Sequence, residues 1–340
     1  MTAIIADFRS DTVTRPSAGM RQAMLSAELG DDVYGDDPTV NRLQAYIADL
    51  TGKEAALLCT SGTQSNLVAL LAHCQRGDEY IVGQEAHTYK YEGGGAAVLG
   101  SIQPQPIEFE ADRTLDLDKV RAKLKVDNPH FARSRLLCLE NTCGGVVLPL
   151  DYHARAAEFC ATQGLALHLD GARLFNATQQ QGVSARDITQ HYDSVSLCMS
   201  KGLGAPVGSL LVGDRALIEE ANKWRKMLGG GMRQAGILAA ACLYALEHNI
   251  EGLSLDHENA RLLATGMADI TGISCDPLAV HTNMVFMSID DAAQAAPLKT
   301  FLAERGIIVR GDRELRLVTH MDIDRQGINS MLQSCREFFA

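Results

Sequence analysis

The 340-residue chain has few aromatic side chains, 5% of its residues with a single tryptophan, and no surplus of basic ones. Lys and Arg total 31 against 42 Asp and Glu, a net charge of −11. Nucleic-acid binding draws on a basic face, so a polyanion is excluded as the expected partner. No apolar run approaches the roughly 18 residues needed to cross a bilayer. The start, Met1-Thr-Ala-Ile-Ile-Ala-Asp-Phe-Arg9, has neither a basic segment nor an apolar stretch long enough for a secretory signal, so a cytoplasmic protein is expected. The nine cysteines are scattered, form no C-x-x-C pair and have no histidine-rich partner. They read as reduced core residues, and no metal site is expected.

Two nucleotide signatures are missing as well. The chain has no G-x-x-x-x-G-K-[ST] loop, and Gly202, Gly204 and Gly208 lead into an apolar run that reads as strand where a dinucleotide fingerprint would open a helix. What is present is an ordinary globular balance, 46% hydrophobic and 21% charged. At about 150 residues per domain the length predicts two domains. Strand and helix patterns alternate over most of residues 54–212, which predicts an α/β fold with a mostly parallel sheet covered on both faces. A helical stretch from about Ala235 to Leu263, broken near Gly252, leads to a smaller α+β domain. The expected division is 1–245 and 246–340.

Three sites of chemistry stand out, in order along the chain. Glu54-Ala-Ala-Leu-Leu-Cys59 reads as a strand, Thr60-Ser-Gly-Thr63 as a tight turn, and the turn opens a helix carrying Leu67, Leu70 and Leu71. Free amides, a helix N-terminus and the Thr63 hydroxyl then converge on one point, which is a cup for phosphate. The apolar run Leu165-Ala-Leu-His-Leu169 ends on Asp170-Gly-Ala-Arg173, and Ser194-Val-Ser-Leu-Cys-Met199 ends on Ser200-Lys201-Gly-Leu-Gly204. These are buried strands whose polar last residues reach the rim where ligands bind in an open α/β sheet. Taken singly, Asp170 and Lys201 also fit ordinary loop charges. Together they are the pair that pyridoxal phosphate requires: an amine to hold the aldehyde as a Schiff base, and a carboxylate to keep the pyridine nitrogen protonated. His87, amid aromatics after a strand, could stack on a flat ring, and the glycine-rich segment Trp224 to Gln234 could approach an anion.

The words Arg9-Ser-Asp-Thr-Val-Thr-Arg-Pro16, Gly30 to Pro38, Ser61-Gly-Thr-Gln-Ser-Asn66, His168-Leu-Asp-Gly-Ala-Arg173, Ser200-Lys-Gly-Leu-Gly204, Gly229-Gly-Gly-Met-Arg-Gln234 and Arg316-Leu-Val-Thr-His320 together resemble the threonine aldolases, fold-type I enzymes that depend on pyridoxal 5'-phosphate. The likeness covers nearly the whole chain and is close to the bacterial low-specificity L-threonine aldolases. It implies a lyase that splits L-threonine, L-allo-threonine and related β-hydroxy-α-amino acids into glycine and an aldehyde. By the same resemblance Lys201 holds the cofactor, Asp170 faces the pyridine nitrogen, His87 stacks on the ring, and Gly62 and Thr63 hold the phosphate. Arg233 reaches that phosphate from a neighbouring subunit, and Tyr34 lines a neighbour's site. Ser10, Arg173 and Arg316 clamp the substrate carboxylate, as two guanidinium forks can. His130, in Asn128-Pro-His-Phe131, falls where the family has a histidine near the substrate hydroxyl. The general base is left open among His87, His130 and a held water. A homotetramer built from active dimers is implied. The rival readings are a β-elimination or transamination by the same cofactor, and a non-catalytic cofactor-binding protein.

Overall fold

A computed structural model describes residues 4–340. Its centre is a seven-stranded sheet in the order Ala55–Cys59, Ser209–Gly213, Ser194–Cys198, Ala166–Gly171, Arg133–Glu140, Asp78–Gly83 and Gln103–Ile107. Ser209–Gly213 is antiparallel to both neighbours, and the remaining pairings are parallel. The exception has a covalent cause. Residues 199–208 join Ser194–Cys198 to Ser209–Gly213 with no helix between them. A connection that short reverses the chain, whereas a parallel return needs a crossover of a dozen residues or more. Ile81, Leu137, Leu169, Val195 and Leu210 on these strands are wholly buried, as expected of a sheet with helices on both faces.

One strand of this sheet went unpredicted, as did the short strands Ala6–Asp7 and Ile273–Cys275 outside it. Gln103-Pro-Gln-Pro-Ile107 carries two prolines, which argue against a central strand, yet it pairs in parallel with Asp78–Gly83 at the sheet's edge. An edge strand has one side without ladder partners, so the missing proline N–H groups are tolerated there. The helix expected after Asp37 spans Pro38–Thr51, and the Asp37 carboxylate caps it by accepting from the amides of Thr39 and Val40 at 3.1 and 3.0 Å.

The expected helical break lies between Gly236–His248 and Leu253–Ala268. The first packs into the large core and the second carries Leu263 and Met267 into a separate one. The smaller unit holds an antiparallel sheet, Glu314–Val318, Met284–Ile289 and Ile273–Cys275, with the helices Ala295–Glu304 and Arg325–Phe339. The amino-terminal segment joins this smaller unit rather than the large one: Ala6–Asp7 pairs with Ile307–Ile308, and Ala6 and Phe8 sit in the small core. That pairing delivers Arg9, Ser10 and Asp11 to the seam between the two units. Among the described residues no helix is long and apolar enough to cross a membrane.

Candidate active site

The carboxyl ends of the parallel strands form one rim, and Asp170 and Lys201 both stand on it, near enough for each charge to act on His87 and Glu140. Strand Ala166–Gly171 lies beside Ser194–Cys198 with Asp170 opposite Ser196, and Lys201 follows the end of the second strand by three residues. Lys201 stands in the tight connection. Its carbonyl accepts from the Thr14 hydroxyl at 2.9 Å and from the Gly204 amide at 2.9 Å, and Gly204 closes the turn with a φ of +77°. Asp170 is buried. Its carboxylate accepts from Asn66 Nδ2 at 2.9 Å and from the Ala172 amide at 3.1 Å, which fixes its plane.

The helix Gly62–His73 begins on the same rim. Ser61 caps it by accepting from the Gln64 amide at 3.1 Å, and among the described residues the amides of Gly62 and Thr63 have no acceptor. Ser209, paired across the sheet with Cys59, brings a hydroxyl beside them. Its Oγ is buried without a hydrogen-bond partner and lies 3.7 Å from where a Cβ on Gly62 would stand. Two free amides and an unsatisfied hydroxyl at a helix N-terminus are the donors an anion requires. Ser209 escaped the sequence reading because it is paired by the sheet and not by proximity in the chain.

A cleft of about 730 Å³ opens between this rim and the small unit. Arg9, Arg113, Arg173, Arg310 and Arg316 line it against Glu85, Glu140 and Glu314, so its charge suits a carboxylate. Arg173 Nε and Nη2 fork onto the Asp11 carboxylate at 2.8 and 2.7 Å. Asp11 is fully buried and also accepts from Asn283 Nδ2 at 3.3 Å. Burial works against its charge, but the Arg173 guanidinium holds the carboxyl well below its usual range. Arg173 Nη1 is left for the cleft. Arg316 faces it, and burial together with the Arg173 charge lowers the Arg316 pKa. Among the described residues Arg316 Nη2 otherwise reaches only the Arg9 carbonyl, at 3.5 Å. Ser10 caps the short turn Asp11–Val13, its Oγ accepting from the Thr12 amide at 3.2 Å.

His87 lines the cleft at the start of the turn His87–Lys90. Its amide donates to Glu140 Oε2 at 2.7 Å, and its Nδ1 lies 2.8 Å from Glu92 Oε1. The bond with Glu92, reinforced by the Asp170 and Glu92 charges, raises its pKa against the effect of burial. Tyr91 packs beside the imidazole with ring centres 5.7 Å apart. Glu140 ends its strand opposite Asp170, and burial with the Asp170 charge pushes its carboxyl up to about 7. Glu140 is the polar end of an apolar run, Arg135 to Leu139, and so reads as a rim residue without a role; Glu92 carried no mark, since it sits among polar residues that read as loop.

His130, Tyr34 and Arg233 lie elsewhere in this chain. His130 is exposed in the loop before Arg133–Glu140, and Glu140, not Arg133, is the end that reaches the site. At about 3.3 Å per residue the strand's eight residues put roughly 25 Å between the two ends. The loop containing His130 therefore faces the opposite rim of its own sheet, and contact with a reacting group would be with that of another copy. Tyr34 is 76% exposed, Arg233 lies 5.9 Å from its ring centre, and the Arg233 guanidinium pairs with Asp31 at 2.9 Å. The glycine segment before it does approach the cup: a Cβ on Gly230 would stand 2.2 Å from Gln64 Nε2.

Comparisons with known proteins agree with this geometry. The beta-eliminating lyase family profile matches residues 7–290. The low specificity L-threonine aldolase of Escherichia coli strain K12 is 54% identical over 334 residues, covering 98% of this chain and 99% of the relative. Low-specificity L-threonine aldolase 1 of Arabidopsis thaliana is 44% identical over 97% of this chain and 94% of its own. Among solved structures, a threonine aldolase from Leishmania major superposes with a TM-score of 0.83 at 20% identity, over 98% of this chain and 100% of that one. A putative L-allo-threonine aldolase from Listeria monocytogenes gives 0.81 at 22% identity, over 98% and 96%. At those identities the structures establish the fold, that of the fold-type I enzymes, while the full-length sequence relatives establish more: this chain is a lyase and belongs to the beta-eliminating lyase family, among the low-specificity L-threonine aldolases.

Proposed function

We propose that this chain, with pyridoxal 5'-phosphate, cleaves L-threonine and L-allo-threonine between Cα and Cβ to give glycine and acetaldehyde. The observation that carries the reading is the meeting of Lys201 and Asp170 at neighbouring strand ends, beside a cup of unpaired donors and under an arginine-lined cleft. The names of the full-length relatives support the same reaction. The donors fit the cofactor: the Gly62 and Thr63 amides with the Ser209 hydroxyl suit its phosphate, Asp170 its protonated ring nitrogen, and the His87 imidazole its flat face. Pyridoxal phosphate, when bound, supplies an electrophilic carbon for an amine and a ring that draws in the electron pair left on Cα.

The chain's own residues do the rest. Lys201 supplies the amine that anchors the aldehyde. Arg173, through its free Nη1, and Arg316 bind the substrate carboxylate, with Ser10 beside them. Fixing the carboxylate and the amine leaves the third bond at Cα, the one to Cβ, with a set direction, and orientation of that kind is a large part of catalysis. A base must take the β-hydroxyl proton as that bond breaks. In the cleft, His87, whose Nε2 is not engaged by Glu92 and whose pKa is raised by that bond, and Glu140, pushed up to about 7 by burial, are candidates, and His130 of a neighbouring copy is a third.

We place the chain in a homotetramer with active sites at dimer interfaces, where Arg233 and Tyr34 serve a neighbour's site. Tyr34, 76% exposed with Arg233 5.9 Å from its ring centre, supports a covered face there. The nine cysteines, all unpaired, suit the cytoplasm. The test is a product assay with both threonine diastereomers and added cofactor. Glycine and acetaldehyde in equal amounts are expected; ammonia with a keto acid would replace this reading with an elimination or transamination, and a protein without visible absorbance in the presence of the cofactor would end it.

A further inference from the structure

Glu92 sits in Tyr91-Glu-Gly-Gly-Gly95, a segment whose polarity and glycines read as solvated loop. Its side chain is nonetheless only 4% exposed. A carboxylate so buried needs partners for its charge. It has two: His87 Nδ1 at 2.8 Å and Asn66 Nδ2 at 2.8 Å. Asn66, itself buried on the helix Gly62–His73, spends its other amide hydrogen on Asp170 Oδ2 at 2.9 Å. One amide therefore bridges two carboxylates whose nearest oxygens, together with the His87 ring nitrogen, lie within 4.8 Å of one another.

The hydrogen positions follow from the inventory of donors. Ionised carboxylates only accept, so Nδ2 of Asn66 must face both and its Oδ1 must face His168 Nε2, 3.2 Å away. His168 then carries its proton on Nε2 and accepts at Nδ1 from the Ser194 hydroxyl at 2.7 Å. The Ser194 oxygen in turn accepts from His73 Nε2 at 2.7 Å. Both of these histidines are neutral, since burial lowers them to about 3 and about 4. Each donor in the chain from His73 to Asp170 is used once, and reversing any one leaves two donors or two acceptors face to face. The Asn66 orientation is thus imposed by the two carboxylates, and the groups behind it, which never reach the cleft, take the tautomers that match it.

We propose that Glu92 and Asn66 are positioning residues: Glu92 holds His87 as the Nδ1–H tautomer with Nε2 turned to the cleft, and Asn66 ties that support to the Asp170 carboxylate. The proposal rests on the cofactor reading for the tasks given to His87 and Asp170, but the tautomer itself does not depend on it. Besides Glu92, the titratable groups around the imidazole are Asp170, Glu140, Lys201 and Tyr91, with Arg173 and Arg316 across the cleft.

The test is nitrogen NMR of the histidine-labelled protein, with and without cofactor, the His87 signal being assigned by its loss in His87→Asn. Wild type should show neutral His87 protonated at Nδ1 and bare at Nε2. Glu92→Gln keeps the acceptor oxygen and removes the charge, so the tautomer should persist while the His87 titration moves to lower pH. Glu92→Leu removes both, so the tautomers should mix and kcat should fall, with Glu92→Gln recovering part of the loss and KM for threonine little changed in either. Wild-type His87 carrying its proton on Nε2, or an unmoved titration in folded Glu92→Gln, would overturn the proposal. Failure to take up cofactor alongside the expected tautomer would count against the cofactor reading alone.

Discussion

Asp11→Asn isolates the most consequential ion pair in the cleft. The change keeps the volume and one acceptor oxygen, but leaves the Arg173 guanidinium, whose side chain is 12% exposed, without its counter-charge. Breaking a buried pair from one side costs about 3–5 kcal/mol. The surviving oxygen still takes one of the two Arg173 donors, so a loss near the lower figure is expected. At about 2–4 °C per kcal/mol in chains of a few hundred residues, the melting temperature should drop by roughly 6–12 °C at pH 7. The sign with pH is fixed by the direction of the shift. The folded carboxyl lies below its unfolded value of about 3.9, so its contribution is complete above that pH and is lost as pH falls through the folded value. The gap between wild type and variant should therefore stay constant from pH 8 to about 4.5 and narrow below pH 4. Freed from its fork, Arg173 also loses the geometry that presents Nη1, so KM for threonine should rise about tenfold, the equivalent of roughly 1.4 kcal/mol. Melting by calorimetry across pH 3–8, with steady-state kinetics at pH 7, reads both. An unchanged melting temperature at pH 7, or a gap that persists undiminished at pH 3, would refute the reasoning.

Two further substitutions probe the neighbours. Glu140, held up at about 7, keeps a proton when folded that it releases when unfolded, so wild-type stability should decline as pH rises from about 4.3 to 7. Glu140→Gln still accepts the His87 amide and should flatten that decline; the same slope in variant and wild-type urea titrations would show the carboxyl is not perturbed. Gly230→Ala drives a methyl within 2.2 Å of Gln64 Nε2 and 2.6 Å of Oε1, the oxygen that accepts from the Thr60 amide and hydroxyl at 3.0 and 3.1 Å. Because that bond shapes the turn before Gly62, the cofactor dissociation constant should rise about tenfold, roughly the cost of one hydrogen bond to a charged group. A fluorescence titration giving wild-type affinity would remove the glycine segment from the phosphate site.

The sequence disclosed those parts of the site that a single strand or helix carries whole. Asp170 and Lys201 each end an apolar run on a polar residue, and Gly62 with Thr63 begins a helix, so period and punctuation were enough. The edge strand at Gln103–Ile107 was hidden because its prolines contradict strand chemistry everywhere except at an edge, and edge position is a property of the assembled sheet. Resemblance supplied His130 with a role but not with an address. Only the strand Arg133–Glu140 shows that the residue and the cleft stand at opposite ends of one sheet within a subunit.

The unread residues share a physical feature. Asp11, Glu92 and Ser209 act across elements far apart in sequence, so no local pattern separates them from solvated loop charges or strand hydroxyls. Asp11 reaches Arg173 over 162 positions and Asn66 reaches Asp170 over 104. Their burial is what distinguishes them, because a buried charge is tolerable only where something answers it. Each buried polar group therefore points to its partner, and the partners converge: Asp11 on Arg173 in the cleft wall, Glu92 and Asn66 on His87 and Asp170, Ser209 on the free amides of Gly62 and Thr63. A polar support with no reactive role would have no reason to aim at one cleft from the amino terminus, two sheet strands, a helix and a loop. The convergence is why Glu92, silent in sequence, makes a sharper test of the site than Lys201: the lysine is required by any chemistry this cofactor performs, whereas the buried glutamate is required only if His87 must present one particular nitrogen.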